Sequence, residues 1–174
     1  LNPAAEAIGL AKKAKLGIRK AIWFQIVAKE LLEALDQEFT TIDLPKILAN
    51  ESMEDFIGRI RDIKKDIQFG FNTNRVALNF WREYLEQKGI FVFQISMPKE
   101  EIRGFSLLKP NHPAVIVVNS QDTVNGRIFT LFHEYGHILL NQSGICNPNI
   151  IELRNDRTNE MARFCNRLSG NFLV

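Results

Sequence analysis

Between Ala114 and Leu139 the apolar pattern changes period once, and that change restricts the architecture sharply. Ala114-Val115-Ile116-Val117-Val118 is a β-branched block bounded by Pro113 and Asn119, the signature of a short buried strand. From Ile128 the period becomes helical: Ile128, Leu131, Phe132, Tyr135, Ile138 and Leu139 follow the i, i+3, i+4, i+7 rule. A strand leading directly into an amphipathic helix needs further elements on both sides to cover them.

The flanking sequence supplies those elements. Ile22, Ile26, Val27, Leu31 and Leu35 recur at helical spacing, and Asp43-Leu44-Pro45 opens a short helix with proline near its first turn. Asp55 to Phe69 and Val76 to Leu85 are further helices, the second ending near a C-capping Gly89. After Gly89 come Ile90 to Ile95 and Arg103 to Leu107, both rich in β-formers. The links between the three strands are too short for helical crossovers, so part of the pairing is antiparallel. Gly144 and Pro148 mark the end of the 128–139 helix, and a last helix runs from Asp156 to Leu168 with Met161, Phe164, Cys165 and Leu168 inward. The expectation is an α+β fold: a helical N-terminal half, a small three-stranded, mostly antiparallel sheet, then the 128–139 helix and a following helix. Residues 1–17 read as a linker or extension and 18–174 as one domain. Leu1 at the start and Phe172-Leu173-Val174 at the finish read as the ends of an excised piece.

Composition excludes several classes. A net charge of +2 says little about partners, since a nucleic-acid-binding domain usually shows a stronger and more clustered excess; Lys12, Lys13, Lys15, Arg19 and Lys20 read as a solvated helix face or linker, with a nucleic-acid contact as the sharper role. No apolar run reaches the roughly 20 residues that span a bilayer. Two cysteines, Cys146 and Cys165, are too few for a disulfide scaffold, which points to a reducing, cytoplasmic compartment and thiols in core or loop positions.

The chemistry concentrates in His133-Glu134-Tyr135-Gly136-His137, which uses two of only three histidines. Residues four apart on a helix share a face, with Cβ atoms about 6 Å apart. Two imidazoles so placed reach one Zn²⁺ through bonds of about 2.0–2.1 Å. Glu134 sits next to His133 and can touch a metal-bound water without ligating the metal, the division of roles in a metallopeptidase helix. The opposing interpretation is a helix with two partly buried, hydrogen-bonded histidines.

A catalytic zinc takes three protein ligands and leaves one position to water. Glu160, Glu152, Asp156, His112, Cys146 and Cys165 are available as the third. Glu160 is favoured: it lies four residues before Phe164 and eight before Leu168, on the expected inward face, where a carboxylate is costly without a cation. A salt bridge to Arg157 or Arg163 is the competing role. Asp156 is a candidate partner for a histidine N–H. His112 is a surface or capping histidine before Pro113, with steadying a reacting carbonyl as its sharper role.

Phe132-His133-Glu134-Tyr135-Gly136-His137-Ile138-Leu139-Leu140, with the preceding strand and the later Asn159-Glu160-Met161-Ala162-Arg163-Phe164-Cys165, resembles the ImmA/IrrE family of metallopeptidases. The resemblance covers residues 18 to 174, with the two motif helices distinctive. It implies that the 128–139 helix is a zincin-type active-site helix followed by a ligand helix, with Glu160, four residues before Phe164, as the third zinc ligand. It implies a cytoplasmic zinc peptidase whose protein substrate is a helix-turn-helix transcriptional repressor. The family commonly carries alanine where this chain has Met161 and Cys165. The alternative from another class is a non-catalytic, metal-containing module that sequesters a partner. Edge pairing of an extended substrate with Arg103 to Leu107 or Ala114 to Val118 completes the expectation.

Overall fold

The computed structural model describes residues 9–36, 45, 51–61, 67, 70–141, 144–146 and 156–173, without the side chains of 144–146 and 156–159. In chain order these form α1 (Lys12–Ala34), α2 (Met53–Ile60), α3 (Asn74–Gln87), β1 (Ile90–Ile95), β2 (Gly104–Leu107), β3 (Ala114–Asn119), α4 (Val124–Leu139), β4 (Gly144–Cys146) and α5 (Asp156–Leu173).

The α+β expectation holds, with corrections in detail. The sheet has four strands in the order β1-β3-β2-β4, not three. β4 escaped notice because Gly144-Ile145-Cys146 is too short to show a period; Gly144 opens a strand instead of terminating the helix. Two pairings, β2 with β3 and β2 with β4, are antiparallel, while β1 and β3 run parallel with Ile90 opposite Ala114. Among the described residues β1 and β4 are the edges. The expected pairing edges at β2 and β3 are therefore occupied by neighbouring strands. The short helix at residues 43–45 and the stretch beyond Arg61 fall outside the described residues, apart from 45, 67 and 70.

β3 is buried along its whole length, which is why its sequence is a continuous apolar run instead of an alternation. Ile116 and Val118 face a core built with α2, α3, α4 and α5; Val115 and Val117 face a second core under α1. The helical period of α1 is as expected, but the face it buries is not. Ala14, Gly17, Ile18, Ala21, Gln25 and Ala28 turn inward, while Leu31 and Leu35 are 59% and 66% exposed. Small residues win that face because the helix lies close against the layer below, with Gln25 Nε2 donating to the Pro113 carbonyl at 2.8 Å. The basic residues Lys12, Lys13, Arg19 and Lys20 are exposed along α1.

Local chemistry fixes where the helices start and stop. Thr73 caps α3 by accepting from the Val76 N–H at 3.2 Å, and Thr123 caps α4 by accepting from the Gly126 N–H at 3.1 Å. Gly89 has φ +81°, so the turn from α3 into β1 needs a residue that adopts the left-handed region without strain. At the end of β3, buried Asn119 donates to the carbonyls of Ile102 and Met97 and accepts from the amides of Met97 and Gln121. These bonds tie three chain segments together at the point where the chain turns towards α4.

The three helices on the site side meet through aromatic rings. Trp81 of α3 lies edge-on to Phe132 of α4 (5.0 Å between centroids) and to Phe172 of α5 (6.1 Å). Phe132 and Phe172 stack at 4.4 Å. All three are essentially fully buried. Truncating Trp81 to alanine removes the ring common to the three helices, and a loss of about 3–5 kcal/mol in unfolding free energy is expected. Urea denaturation measures it; a loss below about 1 kcal/mol would mean that the ring does not hold these helices together.

Candidate metal centre

α4 is buried on every side from Thr130 to Leu139, because β2 and β3 lie under it and α3 and α5 flank it. An amphipathic stripe would need only one covered face; this helix has also to bury His133, Glu134 and His137, which are 5%, 0% and 8% exposed. Buried polar side chains are expensive unless their environment compensates them, so their placement here makes this turn the candidate site. Tyr135 belongs to the apolar stripe, buried with its ring 6.4 Å from Phe172.

His133 and His137 stand one turn apart with ring centroids at 5.1 Å and planes at 65°. His133 Nδ1 lies 2.9 Å from Asn166 Oδ1 on α5. An amide oxygen only accepts, so Nδ1 carries the proton and Nε2 presents its lone pair. A neutral imidazole held in this tautomer is what a metal ligand requires.

α5 approaches α4 at Gly136. A methyl group there would sit 3.0 Å from Cys165 Sγ and 3.1 Å from its Cα, so this close approach depends on glycine. The consequence is chemical as well as steric. Donor atoms of His133, His137 and Cys165, all buried, lie within 4.8 Å of one another. Two imidazole nitrogens and a sulfur form a donor set suited to a borderline-soft divalent ion such as zinc.

The other anticipated residues are distributed as follows. Glu134 lies in the middle of the buried turn between the two histidines. Glu160 is on α5 but exposed. The face of α5 that enters the core is set by Cys165, Leu168 and Phe172; five residues before Cys165 is roughly 140° around the axis. The expected inward face is therefore rotated away from Glu160. His112 sits in the turn before β3 with Nδ1 3.0 Å from the Pro110 carbonyl, and it is not among the three grouped donors. Glu152 and the side chains of Asp156 and Cys146 lie outside the described residues. Asn166, which takes the histidine N–H considered for Asp156, carried no periodic or motif signal. Only the position of its neighbour Cys165 on the inward face could have drawn attention to it.

A metal-capable group presented by a helix buried from Thr130 to Leu139 over a mixed sheet fits a metallopeptidase-type domain. Consistently, the family model for the IrrE N-terminal-like domain, Peptidase_M78, matches residues 85–174, and the chain belongs to that family. The match spans β1 to α5, which is the sheet, both helices that bear the grouped residues and the end of α3. No curated protein and no solved structure matches the chain. No helix among the described residues is long and apolar enough to cross a membrane.

Asn166→Ala removes the acceptor at His133 Nδ1 while leaving the packed face of α5 intact. Divalent-metal affinity is expected to fall about 10- to 100-fold with little change in thermal stability. Competition against a chromophoric chelator reads this; unchanged affinity would dissociate Asn166 from the site.

Proposed function

We propose that this domain is a zinc-dependent endopeptidase that hydrolyses a peptide bond in a protein substrate, with a helix-turn-helix transcriptional repressor in the cytoplasm as the target class. The observation that carries the reading is the buried His133-Glu134-His137 turn on α4, presented beside α5 in a chain of this family. Residues 18–174 constitute the peptidase domain in this reading and residues 1–17 lead into it, the last of them as the first turns of α1, where Ala14 and Gly17 pack inward.

His133 and His137 would hold the zinc, with Glu160 of α5 as the third protein ligand. Glu160 is exposed in the structure, so its ligation requires the side chain to swing inward. When bound, zinc lowers the pKa of a coordinated water to about 7 and polarises a carbonyl. The chain's own residues then do the proton work. The Glu134 carboxylate accepts the proton of the attacking water and returns it to the leaving amine. Burial of Glu134 strengthens its electrostatic influence on that transfer. Asn166 keeps His133 in its Nδ1–H tautomer throughout. For the substrate, β4 replaces β2 and β3 as the proposed docking edge, because it is a terminal strand and follows α4 directly.

The second reading, a metal-containing module that sequesters a partner without cutting it, is favoured by Cys165. If Cys165 and Glu160 both joined the imidazoles, four protein donors would close the site to water.

Two substitutions separate these readings. Glu134→Gln should retain metal and lower cleavage of a repressor from the same genome by about 10²–10⁴-fold, followed by mass spectrometry of the products. Turnover close to wild type would end the assignment of Glu134 as the base; no cleavage by the wild-type chain would favour the sequestering module. Glu160→Ala should lower bound metal per chain, and unchanged stoichiometry in elemental analysis would exclude Glu160 as a ligand.

A further inference from the structure

Five of the seven large apolar side chains that stand exposed among the described residues, Leu16, Trp23, Ile26, Leu31 and Leu35, lie on α1 or at its C-cap. That helix precedes the residues matched by the family model and takes no part in the metal centre. Its inward face is made largely of small residues, so its bulkier apolar groups are left outside. They are not scattered there. Leu16, Arg19, Trp23 and Ile26 recur at alternating steps of three and four, the rhythm of a helix that pairs with another helix. Lys12 continues the row at one end, Glu30 and Glu33 at the other, and the whole row is exposed. Trp23 is its centre. It is 58% exposed, yet its ring is supported: it lies 5.4 Å from Phe24, which packs on Phe93 of β1 at 4.9 Å. An indole held in place with half its surface in water is the kind of side chain that anchors protein interfaces.

Charge identifies the partner. The N-terminal half of α1 carries Lys12, Lys13, Lys15, Arg19 and Lys20 and no acidic residue. The C-terminal half carries Glu30 and Glu33, with Lys29 as its one cation, paired to Glu33 at 3.4 Å. A strip that is basic at one end, acidic at the other and apolar at its middle complements itself when turned end for end, the condition for a two-fold contact between identical chains. We propose that the outer face of α1 is a homodimer interface, in which two copies of the helix pack antiparallel with Trp23 against Trp23 at the two-fold axis. Lys12 then comes level with Glu33 of the second copy, and Arg19 lies within about one turn of Glu30 of the second copy. The strip is about 32 Å long and about 10 Å wide, well under the roughly 800 Å² per partner of a standard interface, so the dimer is a weak one that forms at high micromolar chain concentrations. Neither metal binding nor peptide cleavage enters this contact.

Sedimentation velocity of the full chain across a concentration series tests this, joined to zero-length carbodiimide cross-linking at the upper end. The weight-average mass should rise from monomer towards dimer as concentration increases. Trp23→Asp should weaken association by about 10-fold or more without changing the circular dichroism. Val76→Asp, at a half-exposed apolar position on α3, should leave association unchanged. Mass spectrometry of the cross-linked dimer should find Lys12 joined to Glu33. Within one helix these residues stand about 32 Å apart, so that link forms only between two copies paired end for end. A monomer at every concentration overturns the proposal, and so does a dimer that tolerates Trp23→Asp. A dimer that depends on Trp23 but yields no link between Lys12 and Glu33 overturns the antiparallel pairing and with it the proposed interface.

Discussion

The contact between Gly136 of α4 and Cys165 of α5 is the closest approach on which the site depends. It brings a second helix to within reach of two imidazoles that α4 presents one turn apart. Hydrophobic packing maintains it: the Phe132 and Phe172 rings stack at 4.4 Å on the same pair of helices, and Trp81 locks both from α3. Rigid aromatic packing supplies what a metal centre needs, since donor positions must be set before the ion arrives.

Burial and reactivity are linked here. α4 is enclosed by strands beneath and helices beside it, so His133, Glu134 and His137 sit where water is scarce. A low-dielectric surrounding strengthens every charge interaction at the site and makes an uncompensated carboxylate or imidazole costly. Asn166 meets one part of that cost by accepting the His133 Nδ1–H, which also sets the direction of the other nitrogen. One hydrogen bond thus serves stability and imidazole orientation together.

Much of the architecture was legible because its signals are local. The β-branched run of β3, the helical period of α4 and the capping Gly89 after α3 are each written within a few consecutive residues. Where the reading failed, the deciding information was not local. β4 is three residues long and exists because β2 offers it a partner. The buried face of α1 is its small-residue side, since close approach to the layer beneath outweighs the larger apolar surface that its sequence displays.

The sequence by itself determined that His133, Glu134 and His137 share a single turn, because i, i+1 and i+4 relations are properties of one helix. It also determined the strand-to-helix order that places this turn above a sheet. Only the tertiary structure decided which residues of α5 meet it. The rotation of α5 about its axis is set by Leu168 and Phe172 entering the aromatic core. That rotation delivers Cys165 and Asn166 to the imidazoles and leaves Glu160 in solvent. A helix's rotation is a property of everything packed against it, so it is absent from any short stretch of sequence.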